Sequence, residues 1–262
     1  MGIDPNILEP VGWHAALAAL DWQMDLGVTE ITGEEPVDRY SLPGTLKPAP
    51  QVRAAPAPAV GMAPDPVAEA KAAARGADTL AALGAALAAY EMCEVKRGAR
   101  STVFADGNPQ ARVLILGEAP GRDEDQEGRP FVGPAGQLLD RMFAAIGLGR
   151  TSPDPATAIY LTNVLPWRTP QNRVPTADEI AMMRPFVLRH VELVNPDIVV
   201  ALGNTACQCL LGTSGIQRLR GAWTQAEGRP VLPMTHPADI LRNPAAKREA
   251  WADLLALKAR MR

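Results

Sequence analysis

Four short apolar runs in the second half of the chain predict the strands of a central sheet. They span 113–116, 159–161, 198–202 and 231–234, and a glycine or a polar residue follows each one. Runs that are apolar at every position are typical of strands buried on both faces of a parallel sheet. We therefore expect these four segments to lie side by side in the middle of the protein.

Stretches with helical spacing separate these runs and predict the layers that cover the sheet. They span 136–146, 177–194 and 205–211, with 248–261 after the last strand and 80–89 before the first. This alternation predicts an α/β fold with a mostly parallel sheet and helices on both faces. Further upstream, residues 11–27 have the apolar spacing of one more amphipathic helix, and Gly27 is suited to end it.

The proline distribution divides the chain into three parts. Seven of the 25 prolines lie in 43–66, mixed with many alanines. That composition predicts an extended linker rather than a packed element. We therefore predict an acidic helical arm at 1–40, a Pro/Ala-rich linker at 41–78 and one α/β domain at 79–262.

Charge separates the arm from the domain. The net charge of −3 argues, taken alone, against a protein that binds nucleic acid. Residues 1–80, however, carry a net charge of −6, whereas residues 81–262 carry +3 and residues 215–262 alone carry +5. The whole-chain value therefore conceals a basic domain behind an acidic arm. We expect the arm either to bind a partner, as yet unknown, or to fold back on the basic face.

Cysteine content and hydropathy limit the classes of protein that fit. Three cysteines are too few for a disulfide framework or for a metal site that needs four thiolates from one chain. No apolar run approaches 18 residues, and the first ten residues lack the pattern of a secretory signal. We expect a monomer in the cytoplasm that makes no membrane contact.

Polar residues that follow the predicted strands are expected to meet at one edge of the sheet. Glu118 follows the first strand, Asn163 the second and His236 the fourth. Ligands of open α/β sheets bind beyond the carboxyl ends of the strands. A polar loop, 122–129, leads from the first strand to Phe131, which we place beside the same edge. A carboxylate, a carboxamide, an imidazole and an aromatic ring thus form one candidate site.

Each of these features has a structural alternative when it is taken singly. The Gly-Glu-Ala-Pro-Gly segment at 117–121 could be only a tight turn, since it lacks the Lys-Ser/Thr of a phosphate loop and the glycine spacing of a dinucleotide site. Phe131 could belong to the core, Asn163 could cap a turn, and His236 is as often structural as functional in such a place. The combination is more specific than any member.

Three segments resemble the motifs of family 4 uracil-DNA glycosylases, in the order and with the spacing of that family. They are GEAPGRDEDQEGRPFVGPAGQLLDRMFAAIGL, TNVLPWRTPQNRVPTADEI and THPADILRNP, and the resemblance runs from about residue 80 to the end. It implies a three-layer α/β/α glycosylase fold. It also implies uracil-containing DNA as the substrate and hydrolysis of the N-glycosidic bond between uracil and deoxyribose, which leaves an abasic site.

The resemblance assigns a role to each residue of the candidate site. Phe131 would stack on the flipped uracil, and Asn163 would read its edge together with backbone N–H groups from Gly117 to Ala119. His236 would stabilise the negative charge that develops on uracil O2. Glu118 and Glu124 would orient water and stabilise the cationic sugar, and the sequence does not rank them. We interpret the acids on either side of Glu124 as a solvated charge run.

The resemblance also implies residues that contact DNA. Asn172 and Arg173 match positions of a loop that faces DNA. Leu241 and Arg242 match a loop in which an apolar side chain fills the gap left by the flipped base and an arginine meets phosphate. Leu241 could equally be a buried helix residue. Arg220 is either a phosphate contact or solvated surface.

The chain departs from the family at the cysteines that hold an iron–sulfur cluster. Of the four ligands that the family uses, only Cys93 is present; Tyr90, Trp167 and either Met182 or Met183 stand at the other positions. One thiolate cannot hold such a cluster, so we predict that it is absent and that no metal is bound. Because the substitutes are bulky and apolar, we expect them to fill the vacated volume as a packed plug.

Two other classes of function compete with the glycosylase. A non-catalytic protein that binds uracil or an abasic site in damaged DNA could use the same fold, although the presence of Phe131, Asn163 and His236 speaks against it. An enzyme acting on small nucleotides could use the same type of sheet. It would lack the salt-dependent DNA affinity expected of a glycosylase.

Overall fold

The protein is described by a computed structural model that covers residues 13–27 and 65–261. The chain divides into two units, at residues 1–60 and 61–262. Within the first unit, helix α1 spans Trp13–Asp25, and Gly27 follows it in the left-handed conformation. The helix predicted at 11–27 is therefore present. Most of the predicted arm and the proline-rich stretch at 43–64 lie outside the described residues.

The second unit contains a six-stranded sheet and nine α-helices among its described residues. The strands are β1 Ala105–Gly107, β2 Val113–Gly117, β3 Ile159–Asn163, β4 Ile198–Leu202, β5 Thr224–Ala226 and β6 Arg229–Met234. The helices are α2 Pro66–Arg75, α3 Leu80–Ala89, α4 Arg122–Glu127, α5 Pro134–Ala144, α6 Ala177–Val194, α7 Gly203–Leu211, α8 Ile216–Leu219, α9 Pro237–Arg242 and α10 Lys247–Arg260. All four predicted central strands are present.

The strand order is β1-β3-β2-β4-β6-β5. The four central strands are parallel, and the two short edge strands run antiparallel to their neighbours. The register of β2 on β3 pairs Gly117 with Asn163, the last residue of each strand. These parallel pairings bring the carboxyl ends of the central strands to one edge, as the sequence predicts.

Alternate residues of each central strand enter separate cores on the two faces of the sheet. On β2, Leu114 and Leu116 pack with α2, α3, α6 and α7, whereas Val113 and Ile115 pack with α5 and α10. All five residues of β2 are buried. This double burial explains why the strands are apolar at every position, and it confirms the three-layer α/β fold.

Helix α2 lies within the segment that the sequence assigns to the linker. It packs against α6 and buries Ala70 and Ala74 in the core. The Asp65 carboxylate caps its first turn by accepting from the Val67 N–H. The proline-rich stretch ends at this helix. Its last proline, Pro66, occupies the first helical position, where no N–H is needed for a hydrogen bond within the helix. The first helix of the folded body therefore begins thirteen residues before the predicted boundary at 79.

Two short polar segments differ from the prediction. The expected loop 122–129 contains helix α4, and the expected wedge loop at 239–243 lies mostly in helix α9. Each helix starts just after a strand-end turn, where free backbone N–H groups need acceptors. Helix α4 contains no apolar residue and α9 has only six residues, so neither shows helical apolar spacing in the sequence. In the described residues, no helix has the length and hydropathy to cross a membrane.

Candidate functional site

The carboxyl ends of the central strands surround a cavity of about 480 Å³. Eight residues predicted to act on uracil or DNA line it: Glu118, Ala119, Glu124, Phe131, Asn163, Asn172, His236 and Arg242. They come from segments more than a hundred residues apart, and the parallel pairing of the strands brings them together. The volume is within the range of pockets that enclose a small ligand.

Gly117 makes room for the two side chains that form the back of the cavity. A Cβ atom at this position would lie 2.4 Å from Oδ1 of Asn163 and 2.4 Å from Cζ of Phe131. Any side chain here would therefore displace both groups. Gly117 does not itself line the cavity, so its structural contribution is the close approach that it permits.

Phe131 lies on the wall of the cavity in a strained backbone conformation. Its side chain is buried, and its ring centroid is 6.0 Å from that of His236, with the two planes 28° apart. Its φ angle of 56° is in the left-handed region, which is unusual for a bulky residue. The conformation is fixed by contacts from two sides: the guanidinium of Arg150 donates to its carbonyl, and the absence of a side chain at Gly136 lets that carbonyl approach α5.

His236 is held as a neutral hydrogen-bond donor. It caps α9, and its Nδ1 accepts from the Ala238 backbone N–H at 3.1 Å. Because Nδ1 accepts, the ring proton of the neutral form is on Nε2. Withdrawal from water lowers the pKa of His236 to about 4; nearby Arg242 lowers it further, and Asp239 opposes the shift. At neutral pH the imidazole is therefore uncharged, and its second nitrogen is free to donate.

The two candidate carboxylates have different surroundings. Glu118 accepts a hydrogen bond from the hydroxyl of Thr205, a buried residue of α7, and otherwise faces the cavity. Both oxygens of Glu124 accept backbone N–H groups, from Gly121 at 3.0 Å and from Gly133 at 2.9 Å. Glu124 thus ties the turn after β2 to the loop that carries Phe131. Sequence reasoning could not distinguish these two carboxylates because the difference lies in backbone geometry.

The acids beside Glu124 are not both solvated. Asp123 is exposed, as predicted. Asp125 is 7% exposed, and its carboxylate accepts from the backbone N–H groups of Arg100 and Ser101. The interpretation as a solvated charge run is therefore wrong for Asp125, which anchors α4 to the segment before β1. A buried carboxylate with two backbone donors is satisfied without a counterion.

The residues predicted to contact DNA divide into two groups. Leu241 is 44% exposed on α9, so the alternative that it is a buried helix residue is wrong; its neighbour Ile240 is buried instead. Arg242 is also exposed and lines the cavity, where its guanidinium pairs with the carboxylate of Asp239. Asn172 lines the opposite side and accepts from Arg168.

The other two predicted DNA contacts are engaged within the protein. The two terminal nitrogens of Arg173, Nη1 and Nη2, donate to the carboxylate of Glu179. These hydrogen bonds hold the pKa of that acid below its usual value. Arg220 forms a bidentate salt bridge with buried Asp253, and its guanidinium also donates to the Glu249 carbonyl. Arg220 does not line the cavity, and its arrangement supports a structural role in attaching α10.

The positions that hold cluster ligands in the resembling family form a continuous apolar core here. Tyr90, Cys93, Trp167 and Met183 are all buried and belong to the same hydrophobic cluster. Tyr90 packs edge-on against Phe186 and donates to the Pro66 carbonyl at 2.7 Å. Burial raises the pKa of the Cys93 thiol, which disfavours the thiolate that a metal needs. These residues do not fit an iron–sulfur cluster. Within 13–27 and 65–261 no group of three potential ligands is arranged around a common metal position.

Two further residues of the site carry no signal in the sequence. Arg150 lies outside every motif, between α5 and β3, yet it bonds the Phe131 loop. Thr205 is one of several small polar residues that follow β4, and only its contact with Glu118 distinguishes it. Each acts through another residue rather than on the cavity.

Comparison with known proteins agrees with the fold. The family model described as "Uracil DNA glycosylase superfamily" matches residues 104–255. The Type-4 uracil-DNA glycosylase of Archaeoglobus fulgidus is 37% identical over 170 residues, which cover 62% of this chain and 82% of that protein. The Type-4 uracil-DNA glycosylase of Thermotoga maritima is 37% identical over 156 residues, 58% of this chain and 77% of its own length. Since the family model matches more than half of the chain and these relatives share its sequence, the chain belongs to the uracil-DNA glycosylase superfamily.

Proposed function

We propose that this protein excises uracil from DNA and leaves an abasic site. The observation that carries the proposal is the convergence of a buried aromatic ring, a carboxamide and a neutral imidazole on one cavity, contributed by Phe131, Asn163 and His236. A base inside a duplex cannot reach such a cavity, so the nucleotide must be flipped out of the stack.

Recognition of uracil rests on Phe131 and Asn163. The ring of Phe131 stacks on one face of the flipped base, since it is buried in the wall of the cavity and offers a planar apolar surface. The carboxamide of Asn163 donates to uracil O4 and accepts from N3–H. Cytosine presents the reverse pattern, so it would leave buried polar groups unpaired, and the site rejects it for that reason.

Catalysis rests on His236 and a carboxylate. The C1′–N1 bond breaks and its electron pair leaves with uracil, so negative charge develops on O2. Nε2–H of the neutral His236 donates to that oxygen, and a neutral donor is effective there because the site needs no proton transfer first. Water adds its oxygen to C1′. One of its protons stays on the new hydroxyl and the other is released, while the departing uracil anion takes up a proton.

We assign the orientation of water and the stabilisation of the cationic sugar to Glu118. Its carboxylate faces the cavity and is steadied by a single side-chain donor, Thr205. Both oxygens of Glu124 are occupied by backbone N–H groups, which fits a residue that shapes the site. We therefore expect Glu118→Gln to lower kcat more than Glu124→Gln. An equal loss of kcat in the two variants, measured by single-turnover excision, would contradict this assignment.

DNA contacts are assigned to the exposed rim of the cavity. Leu241 enters the space left by the flipped nucleotide, and Arg242 and Asn172 contact the backbone on either side. Arg220 is left out of this set because Asp253 and Glu249 use its donors. We further propose, from the sequence, that the chain acts as a cytoplasmic monomer and that the arm at 1–40 binds a partner.

We also propose that the chain folds and acts without an iron–sulfur cluster. The support is the apolar plug formed by Tyr90, Cys93, Trp167 and Met183, whose only thiol is buried in protonated form. Iron and sulfide assays and visible absorbance of freshly purified protein test this. Stoichiometric iron and sulfide would contradict it.

An oligonucleotide assay tests the proposed function directly. Strands with one uracil, and matched strands with thymine or cytosine there, are incubated with the protein and treated with alkali, which cleaves abasic sites. We expect cleavage only at uracil, and an affinity for DNA that falls as salt rises. Binding without cleavage would favour the non-catalytic damage-binding protein. Absence of salt-dependent DNA affinity would favour an enzyme acting on small nucleotides.

A further inference from the structure

We propose that Arg150 is a positioning residue for uracil stacking, because its guanidinium fixes the backbone conformation that places the Phe131 ring in the cavity. The inference rests on the proposed function and assigns to it a residue outside the family motifs. Arg150 does not line the cavity, so any effect on catalysis is indirect, and Phe131 is the cavity-lining residue that it bonds.

The backbone of Phe131 needs external support. A bulky residue with φ of 56° is in a conformation that costs on the order of 1–3 kcal/mol and persists only where surrounding contacts require it. Phe131 lies between two helices, after the end of α4 and just before α5. Neither helix includes this residue in its own hydrogen bonding, so the loop does not hold this conformation by itself.

Arg150 supplies that support with its whole donor fork. Its Nη2 donates to the Phe131 carbonyl at 2.7 Å, and its Nη1 donates to the Pro130 carbonyl at 3.0 Å. The two consecutive carbonyls are thus fixed by two nitrogens of one rigid plane. A lysine has one point charge in place of this planar fork and cannot reproduce the geometry.

Two acids orient the fork from different layers of the fold. Asp140 on α5 accepts from Nε at 2.9 Å, and Asp106 on β1 accepts from Nη1 at 3.0 Å. The Arg150 side chain is only 12% exposed. The largely buried guanidinium is therefore paired with both carboxylates, although Asp140 itself is 45% exposed, and four hydrogen bonds leave it little freedom to turn. The edge strand β1, which no motif predicts, thereby acquires a role in the site.

The opposite side of the loop is closed by close packing. A Cβ atom at Gly136 would lie 1.8 Å from the Phe131 carbonyl oxygen, so this carbonyl is pressed against the first turn of α5. The same oxygen is the one that Arg150 bonds. With the ring packed over Gly117, the loop is held at its backbone and at its side chain. Removal of Arg150 frees the backbone contact alone.

The chain offers a matched control. Arg229, at the amino end of β6, donates to the Pro196 carbonyl and to the side chain of Asn195, whose φ of 54° is also left-handed. It is thus an arginine that supports a strained turn at the opposite end of the strands from the cavity. Arg229→Lys removes the same kind of fork without touching the uracil site.

A double-mutant cycle tests the inference. Excision is measured for the wild type, Arg150→Lys, Phe131→Ala, the double variant and Arg229→Lys, with uracil product inhibition and thermal denaturation alongside. Since misplacement of a positioning group by about 1 Å can cost 10²-fold, we expect Arg150→Lys to lower kcat/KM by roughly 10- to 100-fold and to weaken uracil inhibition. In the Phe131→Ala background it should lower kcat/KM by less than about threefold.

The outcomes distinguish the inference from the proposed function. If Arg150→Lys lowers kcat/KM equally in both backgrounds, or if Arg229→Lys lowers it as much, Arg150 does not act through Phe131. Should Arg150→Lys fail to fold, Asp140→Asn keeps the arginine and loosens its orientation, and a smaller fall that also vanishes without Phe131 is expected. An active wild type with an unaffected Arg150→Lys would overturn the inference alone. An inactive wild type would overturn both.

Discussion

Two regions of the domain, the cavity at the strand ends and the apolar plug, are built from different kinds of groups. The cavity at the strand ends is lined by polar groups and by Phe131 with its strained backbone, and Gly117 behind it cannot carry a side chain without a clash. The plug formed by Tyr90, Cys93, Trp167 and Met183 contains buried, mostly apolar groups that satisfy each other by packing. From this contrast we expect the chemistry and the stability of the domain to depend on separate sets of residues.

The plug gives the largest expected effect. Trp167 is 1% exposed, and its indole N–H donates to the Thr102 hydroxyl at 3.1 Å. Truncation of a buried tryptophan leaves a cavity and typically costs about 3–5 kcal/mol. We expect Trp167→Ala to lower the free energy of unfolding by about that amount, measured by urea denaturation. The fraction that remains folded should excise uracil at a nearly normal rate, and a selective loss of kcat would contradict the separation.

His236 gives the converse effect. Removal of one fixed donor to a developing oxyanion typically costs 10²- to 10³-fold in rate. We therefore expect His236→Ala to lower kcat by ~10²–10³-fold, while the urea midpoint changes far less than in Trp167→Ala. His190, which is buried against Phe104 and bonded to the Tyr160 hydroxyl, is the matched control. His190→Gln should lower stability and leave kcat of the folded protein unchanged.

We expect folding stability and kcat to depend on pH in different ways within the same molecule. Burial lowers the pKa of His236 to about 4 and that of His190 to about 3, below the value of about 6.5 expected in the unfolded chain. Between these pKa values the two histidines are protonated in the unfolded chain and neutral in the folded protein. The stability contribution of both groups is complete above pH ~6.5 and is lost as the pH falls towards ~4 for His236 and ~3 for His190.

Excision should follow a different curve, because it needs only the neutral form of His236. We expect kcat of the folded enzyme to stay level down to about pH 5 and to fall as the pH approaches about 4. Parallel urea denaturation and single-turnover profiles would show stability declining first. A kcat that halves near pH 6.5 would mean that His236 titrates as in water, and the neutral-donor mechanism would then be wrong.

Much of the fold could be predicted from the sequence, because the central strands are apolar at every position and the long helices have clear spacing. Helix α6 is present with the predicted bounds, 177–194, and α3 with 80–89. The short edge strands β1 and β5 could not be predicted, since three residues carry no periodicity. The domain starts earlier than the sequence predicts. The prolines and alanines before α2 continue as alanines within it, so the composition shows no change where the helix begins.

The sequence predicts that several residues of the site meet at the strand ends, but it does not predict their contacts. Asn163 and His236 follow predicted parallel strands, so they are expected at one edge of the sheet even though their contacts are unknown. Both line the cavity. The roles of Glu124, Arg220 and Arg150 depend on which backbone or side-chain groups face them. Such pairings join residues far apart in sequence, so no local pattern contains them.

The smallest expected effect tests the comparison at the point where the plug meets α2. The Tyr90 hydroxyl donates to the Pro66 carbonyl at 2.7 Å, and burial raises the pKa of Tyr90 to about 12, which keeps that proton in place at neutral pH. Tyr90→Phe keeps the ring against Phe186 and removes the hydrogen bond alone. Because the freed carbonyl lies at the start of α2, it regains water in part, and we expect a loss of about 0.5–1.5 kcal/mol in the free energy of unfolding with unchanged excision. Hydrogen exchange of the α2 amides should quicken while that of the central strands does not. If instead excision fell while α2 stayed protected, the plug would be coupled to the chemistry, and the two regions could no longer be treated as independent.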